Sequence, residues 1–212
     1  MTTTATTESC PKKSRGRPKV FDRDAALDKA MTLFWQHGYE ATSMAHLVEA
    51  TGAKAPTLYA EFTNKEGLFR AVLDRYIAEF ASRNEAELLC PEKNVIQALA
   101  DYFSAVAHCF TSKDTPSGCF IICTSSALAA SNDDIANTIK ERHAQQALAI
   151  RQFLDLHQNR GEIPDNCCLQ TLTEYLCCIL QGMSVSARDG ASYEDLMKIT
   201  ATTLRLWPDL IK

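Results

Sequence analysis

The chain of 212 residues lacks long apolar runs. Its uninterrupted apolar stretches are short, as in "CFIIC" (Cys119 to Cys123), far below the roughly 20 residues that span a bilayer. The opening "MTTTATTESC" has no apolar segment of the kind a secretory leader carries, so we expect a cytoplasmic protein with no membrane partner. No CxxC pair occurs, which removes zinc ribbons and fingers. There is no Gly-rich phosphate loop, no HExxH and no nucleophile signature of a known hydrolase type. Strict apolar/polar alternation, the mark of a half-buried strand, is also missing.

Sulfur, by contrast, is plentiful. Nine cysteines form an odd set with two adjacent pairs, Cys167-Cys168 and Cys177-Cys178. That pattern does not suit a secreted disulfide framework and reads as free thiols in a reducing compartment. Apolar residues reach 46% and charged residues 23%, enough for one large domain or two small ones. Charge is uneven. The net charge is −4, yet residues 1–75 carry net +2 and residues 76–212 net −6. Lys12, Lys13, Arg15, Arg17 and Lys19 crowd into "KKSRGRPK". Such asymmetry assigns different partners to the two parts.

The periodicity predicts an all-α protein. Residues 1–20 form a polar, disordered basic arm. In "DRDAALDKAMTLFWQHG", Asp22 or Asp24 caps a helix with Leu27, Met31 and Phe34 on one face, and Gly38 ends it. "TSMAHLVEATG" starts on Thr42 or Ser43 and stops at Gly52. "APTLYAEF" follows, with Pro56 allowed in its first turn. Asn64 caps a longer helix whose stripe, Leu68, Phe69, Val72, Leu73, Tyr76, Ile77 and Phe80, keeps helical spacing through residue 80. Further helices are expected at about 92–112, 117–130, 133–159, 168–187 and 192–207, the last opened by a Ser192–Asp195 capping box. We divide the chain into the arm (1–20), a DNA-binding unit (21–82) and an effector-binding and dimerisation unit (83–212).

Residues 42–66, "TSMAHLVEATGAKAPTLYAEFTNKE", place two short helices across a glycine turn, a helix-turn-helix. Leu47, Val48, Leu58 and Phe62 can bury the angle between them. Lys54, Ala55, Pro56, Thr57, Tyr59 and Ala60 are left outward or at the leading end, where small residues let a helix sit deep in a major groove about 12 Å wide. Tyr59, Lys54 and Lys65 can meet phosphates, and Thr42 and Ser43 lie at a helix start suited to the same anion. Thr42 serves equally well as a simple cap, and Tyr59 can be half core. Arg-Gly-Arg-Pro in the arm has the composition of a minor-groove reader, with Arg15 and Arg17 entering and Pro18 keeping the backbone extended.

The segments "FWQHGYEATSM", "ATGAKAPTLYAEF" and "NKEGLFRAVLDRY" resemble the TetR/AcrR family of bacterial repressors. Gly-aromatic-Thr, Ala-x-Gly, Leu-Tyr, Phe and Lys-Glu-x-Leu elements follow in order from Gly38 to Leu68. Ala60-Glu61 stands where the family often has His or Tyr-His, and Pro56 where Gly is frequent. The resemblance implies a homodimer on palindromic operator half-sites, joined through about residues 168–187 and 192–207. It assigns the stripes Leu172, Leu176, Ile179, Leu180, Met183 and Leu196, Ile199, Leu206, Trp207 to that contact, their alternative being the subunit's own core. It also implies an effector but no required cofactor. "SRGRPKVFDRDAALDKAMTLFWQHGYEATS", "CFTSKDTP" and "TTLRLWP" resemble copper-responsive members of the family in enterobacteria, which control an outer-membrane protein gene.

Cys119 and Cys123 stand one helical turn apart, a spacing at which two thiolates can hold a soft ion such as Cu(I). Cys109 and His108 can approach from across "DTPSG". The alternatives are buried thiols acting as small hydrophobes, a redox-sensitive Cys119, an enzyme pairing Cys119 with His108 or His143, and a constitutive DNA-binding protein without effector.

Overall fold

The computed structural model describes residues 21–126 and 133–212. Among them every regular element is helical. The arm, with Arg15 and Arg17, lies outside the described residues, as does the end of the helix expected to reach 130.

Helix α1 (Arg23–Ala41) begins where the Asp22 carboxylate accepts the Ala25 N–H. Its last turn is broken at Gly38 (φ 78°, ψ 171°), a backbone that a Cβ would oppose. Helix α2 (Met44–Thr51) is capped by Ser43 and closed by left-handed Gly52 (φ 68°). Helix α3 (Ala55–Phe62) follows, with Pro56 in its first turn. The Asn64 side chain accepts the Gly67 N–H and opens α4 (Lys65–Tyr76).

The stripe beyond Tyr76 does not continue as one α-helix. Residues Ile77–Ala81 form a π turn, then α5 (Ser82–Leu88) resumes. The wider turn leaves Ile77 and Phe80 half-buried while Tyr76 stays in the core. The rest of the described chain forms α6 (Val95–Phe110), α7 (Phe120–Ser126), α8 (Asp133–Asn159), α9 (Leu169–Arg188) and α10 (Tyr193–Leu210). Ser192 and Asp195 form the expected capping box, and Asn94 with Gln97 forms another.

Helix α1 packs on α2, α4 and α7, while α6 packs on α5, α9 and α10. The two regions meet at Trp35. Its buried ring lies edge-on to Tyr76 at 5.2 Å, with Phe80 at 5.8 Å and Phe120 at 5.9 Å, spacings at which aromatic pairs attract beyond simple burial. Arg188, at the end of α9, donates to the carbonyls of Trp35 (3.2 Å) and Gln36 (3.1 Å). Those carbonyls sit just ahead of the Gly38 break.

The terminal stripes belong mainly to the subunit's own core. Leu172, Leu176, Leu180, Met183, Leu196 and Trp207 are buried within one chain, and Ile179 and Ile199 are partly so. Helices α9 and α10 must both cover α6, and these side chains do that. Only Leu206 of the two stripes is exposed, at 43%. The outward face of α9 carries Cys178 and Val185 instead.

Candidate nucleic-acid interface and body cavity

The turn between α2 and α3 is fixed from both sides. Ser43 accepts the His46 N–H, and the His46 ring accepts the Ser43 N–H, so the cap is reciprocal. Leu47 and Leu58 are fully buried in the angle. This leaves Lys54, Pro56, Tyr59 and Ala60 exposed on α3, with Ala55 and Thr57 half-buried. Tyr59 is 49% exposed; its ring lines a shallow hollow against Met44 and Val48 of α2. A cleft between the starts of α1 and α3 has Lys29, Lys54 and Thr57 in its walls. Lys29 lies on α1, outside the two short helices to which the helix-turn-helix pattern points.

Two predicted contacts are committed to the fold. Thr42 is buried, and its hydroxyl donates to the Gly38 carbonyl at 2.8 Å. Its side chain therefore braces the break in α1, and exposed Ser43 is the helix cap. Lys65 folds back, donating to the Tyr39 carbonyl at 2.9 Å with its ammonium 4.1 Å from the Tyr39 ring centre. Burial lowers the Lys65 pKa, and Glu40 opposes the shift. Glu61, the acid where the family resemblance has other residues, is bridged to Arg23 at 2.6 Å. That bond ties α3 to α1 and offsets a negative charge beside the exposed face.

The body contains a cavity of about 100 Å³ between the π turn, α5, α6, α7 and α8. Tyr76, Ile77, Ala81, Glu85, Tyr102, Cys119, Arg142 and His143 are among its walls. The Tyr76 hydroxyl donates to Cys119 Sγ at 3.3 Å. Burial pushes the Cys119 thiol up, as it does the Tyr76 phenol. Cys109 is pushed up to about 11 by burial and the neighbouring Cys119. Neither group is a ready thiolate, which weakens both the enzyme and the oxidant-sensor readings of this pair. Exposed Cys168 runs the other way, held down first by its hydrogen bond from Thr171.

Cys119 and Cys123 do lie one turn apart, the Cys123 N–H donating to the Cys119 carbonyl. Their sulfurs face different neighbours, Tyr76 for Cys119 and the Ser117 carbonyl, at 3.9 Å, for Cys123. His108 is exposed and stacks on Tyr193 at 4.1 Å, so it does not join them. Among the described residues, no group of three or more His, Cys, Asp or Glu side chains is placed to hold a metal ion. None of their helices is long and apolar enough to cross a membrane.

A helix-turn-helix mounted on a larger helical body is the class that this fold and surface define. The chain belongs to the TetR family: residues 26–72 match the family of bacterial regulatory proteins of that name. It is 70% identical over 203 residues to the HTH-type transcriptional repressor ComR of Escherichia coli (strain K12), covering 96% of this chain and 97% of that one. The HTH-type transcriptional repressor BdcR of the same organism is 29% identical over 88% of this chain and 89% of its own. Among solved structures, a cysteine mutant of the TetR family regulator CifR, complexed with 26bp double-strand operator DNA, superposes with a TM-score of 0.84. It is 30% identical, over 91% of this chain and 100% of that one.

Proposed function

We propose that this protein is a homodimeric transcriptional repressor, working in the cytoplasm, that holds a palindromic operator through α3 and releases it when an effector reaches the body. The observation that carries the reading is the exposed face of α3. Its small and polar residues, Lys54, Pro56, Tyr59 and Ala60, project from a turn whose inner residues are fully buried. The likeness to repressors over nearly the whole chain supports it. Two such helices would enter successive major grooves, about one helical turn apart. Arg15 and Arg17 would reach the flanking minor groove from the arm.

The effector is a copper ion, a small molecule or a thiol oxidant. Copper would act through Cys119 and Cys123, the pair whose spacing suits a soft ion. A small molecule would act through the cavity, whose wall includes the π turn between α4 and α5. Such turns frequently mark functional sites in helices. A guest pressing on Ile77 or Ala81 would move α4, which carries the helix-turn-helix.

The test is a gel shift on the protein's own upstream DNA against random DNA of equal length, with copper, peroxide, hypochlorite and lipophilic cations added in turn. Retention of the upstream DNA alone, reversed by one additive, is the expected result. Equal retention of both DNAs would point to a constitutive binder, and retention of neither would sink the reading. If copper releases the DNA, Cys119→Ser/Cys123→Ser should abolish that response; an unchanged response puts the copper site elsewhere. Deleting residues 1–19 should flatten the dependence of log K on log salt by about 0.9 per lost phosphate contact.

A further inference from the structure

We propose that the body cavity accepts a small organic cation, a primary alkylammonium, with the Glu85 carboxylate as its counter-ion. The inference rests on reading the body as the effector-binding half, and it names the ligand class.

Glu85 opens onto the cavity from the first turn of α5 and is half-buried. It has no hydrogen bond or ion pair among the described residues. Among the described residues of the cavity wall the one Lys or Arg is Arg142, and it donates to Asp74 at 2.9 Å and to Gln145 at 2.8 Å rather than to Glu85. Burial raises the Glu85 pKa, with no cation to bring it back. A desolvated, unpaired carboxylate is costly, and the fold retains one at a cavity wall.

His143 supplies a second open valence. Its Nε2 is buried and has no hydrogen-bond partner. Burial also lowers the His143 pKa, so the imidazole is neutral and one ring nitrogen can accept an N–H. Tyr102, its hydroxyl bonded to Gln146, adds an aromatic wall, and Val106 and Leu180 add an apolar one. The site thus asks for one positive charge, N–H donors and a short apolar tail. An anion would be repelled by Glu85, and a neutral guest would leave that carboxylate unpaired. The space sets the size. A cavity of about 150 Å³ takes benzene, with its six carbons, so this one, of about 100 Å³, suits roughly four heavy atoms. A cation drawn to Glu85 would lie against the π turn that leads to the DNA-binding helices.

Calorimetry on the full chain tests this with three probes of matched size: n-propylammonium, 1-propanol and acetate. The ammonium should bind. 1-Propanol should bind at least about tenfold more weakly, and acetate not at all, as expected when a charge-assisted bond dominates. Glu85→Gln should weaken ammonium binding about tenfold or more while Glu85→Asp retains it, both variants melting as the parent does. Equal binding of 1-propanol, unchanged ammonium affinity in Glu85→Gln, or no ammonium binding by the folded parent would each overturn the proposal. A parallel gel shift separates the two readings: ammonium binding that leaves the operator complex intact keeps the site and removes its effector role.

Discussion

Thr42 and Tyr59 both end in a hydroxyl, and the fold uses the two differently. Thr42 is buried against Gly38, while Tyr59 stands 49% exposed on α3. Thr42→Val keeps the shape but leaves the Gly38 carbonyl short of a donor, which costs about 1–2 kcal/mol. For a chain of this size that lowers the melting midpoint by about 2–4 °C per kcal/mol. Operator affinity of the folded protein should not change. Tyr59→Phe should do the reverse. The melt should stay put, and operator affinity should fall about tenfold, the worth of one hydrogen bond to a charged phosphate. Melting curves and gel shifts on both variants give a two-by-two outcome. If Thr42→Val loses operator without losing stability, the assignments are reversed.

The join between α3 and α4 is tight at Gly67. A Cβ on Gly67 would lie 2.1 Å from the Phe62 carbonyl oxygen, a backbone atom that cannot swing aside. Thr63 beside it has φ 66°, a strained value for a β-branched residue. Gly67→Ala should therefore cost about 1–3 kcal/mol or more. Because the atom it strikes closes the recognition helix, operator affinity should fall with stability. An unchanged melt would show that the corner opens freely. A second joint ties α8 to α6. Glu162 accepts the Val95 N–H at 2.7 Å and meets buried His157 at 3.0 Å. Burial works to raise the Glu162 pKa, but the Val95 N–H, His157 and Arg160 more than offset it, and the net shift is downward. A carboxylate with a lowered folded pKa stabilises above its unfolded value, near 4.5, and the contribution fades as pH falls through the folded one. Glu162→Gln should thus melt below the parent at pH 7, and the gap should close in acid. A gap that persists unchanged at pH 2 would assign the loss to packing. Local signals of this kind were largely legible in the sequence: Asn64, Ser192 with Asp195, Gly38 and Gly52 each announce an end within four residues. The π turn, the fold-back of Lys65 and the separate aims of the Cys119 and Cys123 sulfurs were not. Lys65 reaches Tyr39 and Cys119 meets Tyr76, partners 26 and 43 residues away, and periodicity carries no information about such contacts.

At the scale of the whole molecule, the surplus of positive charge before residue 76 and of negative charge after it separates a DNA-facing end from a body. In the proposed homodimer, two copies hold those ends at the spacing of two half-sites. The stripes that the sequence offered for this contact are used up inside the subunit. What remains open on α9 is a line at helical spacing, Cys178, Gly182 and Val185, with Val185 51% exposed and Leu206 of α10 43% exposed. A Cβ on Gly182 would meet nothing within 4 Å, so a partner helix can approach closely there. We therefore expect the contact of the proposed dimer on this outer line. Gly182→Arg/Val185→Glu should convert the dimer to a monomer by sedimentation while far-UV circular dichroism stays unchanged, because neither side chain enters the core. Binding to a full palindrome should weaken by roughly 10²-fold or more, the loss expected when two linked sites become independent. Binding to an isolated half-site should not change. A double variant that still sediments as a dimer would move the contact off α9.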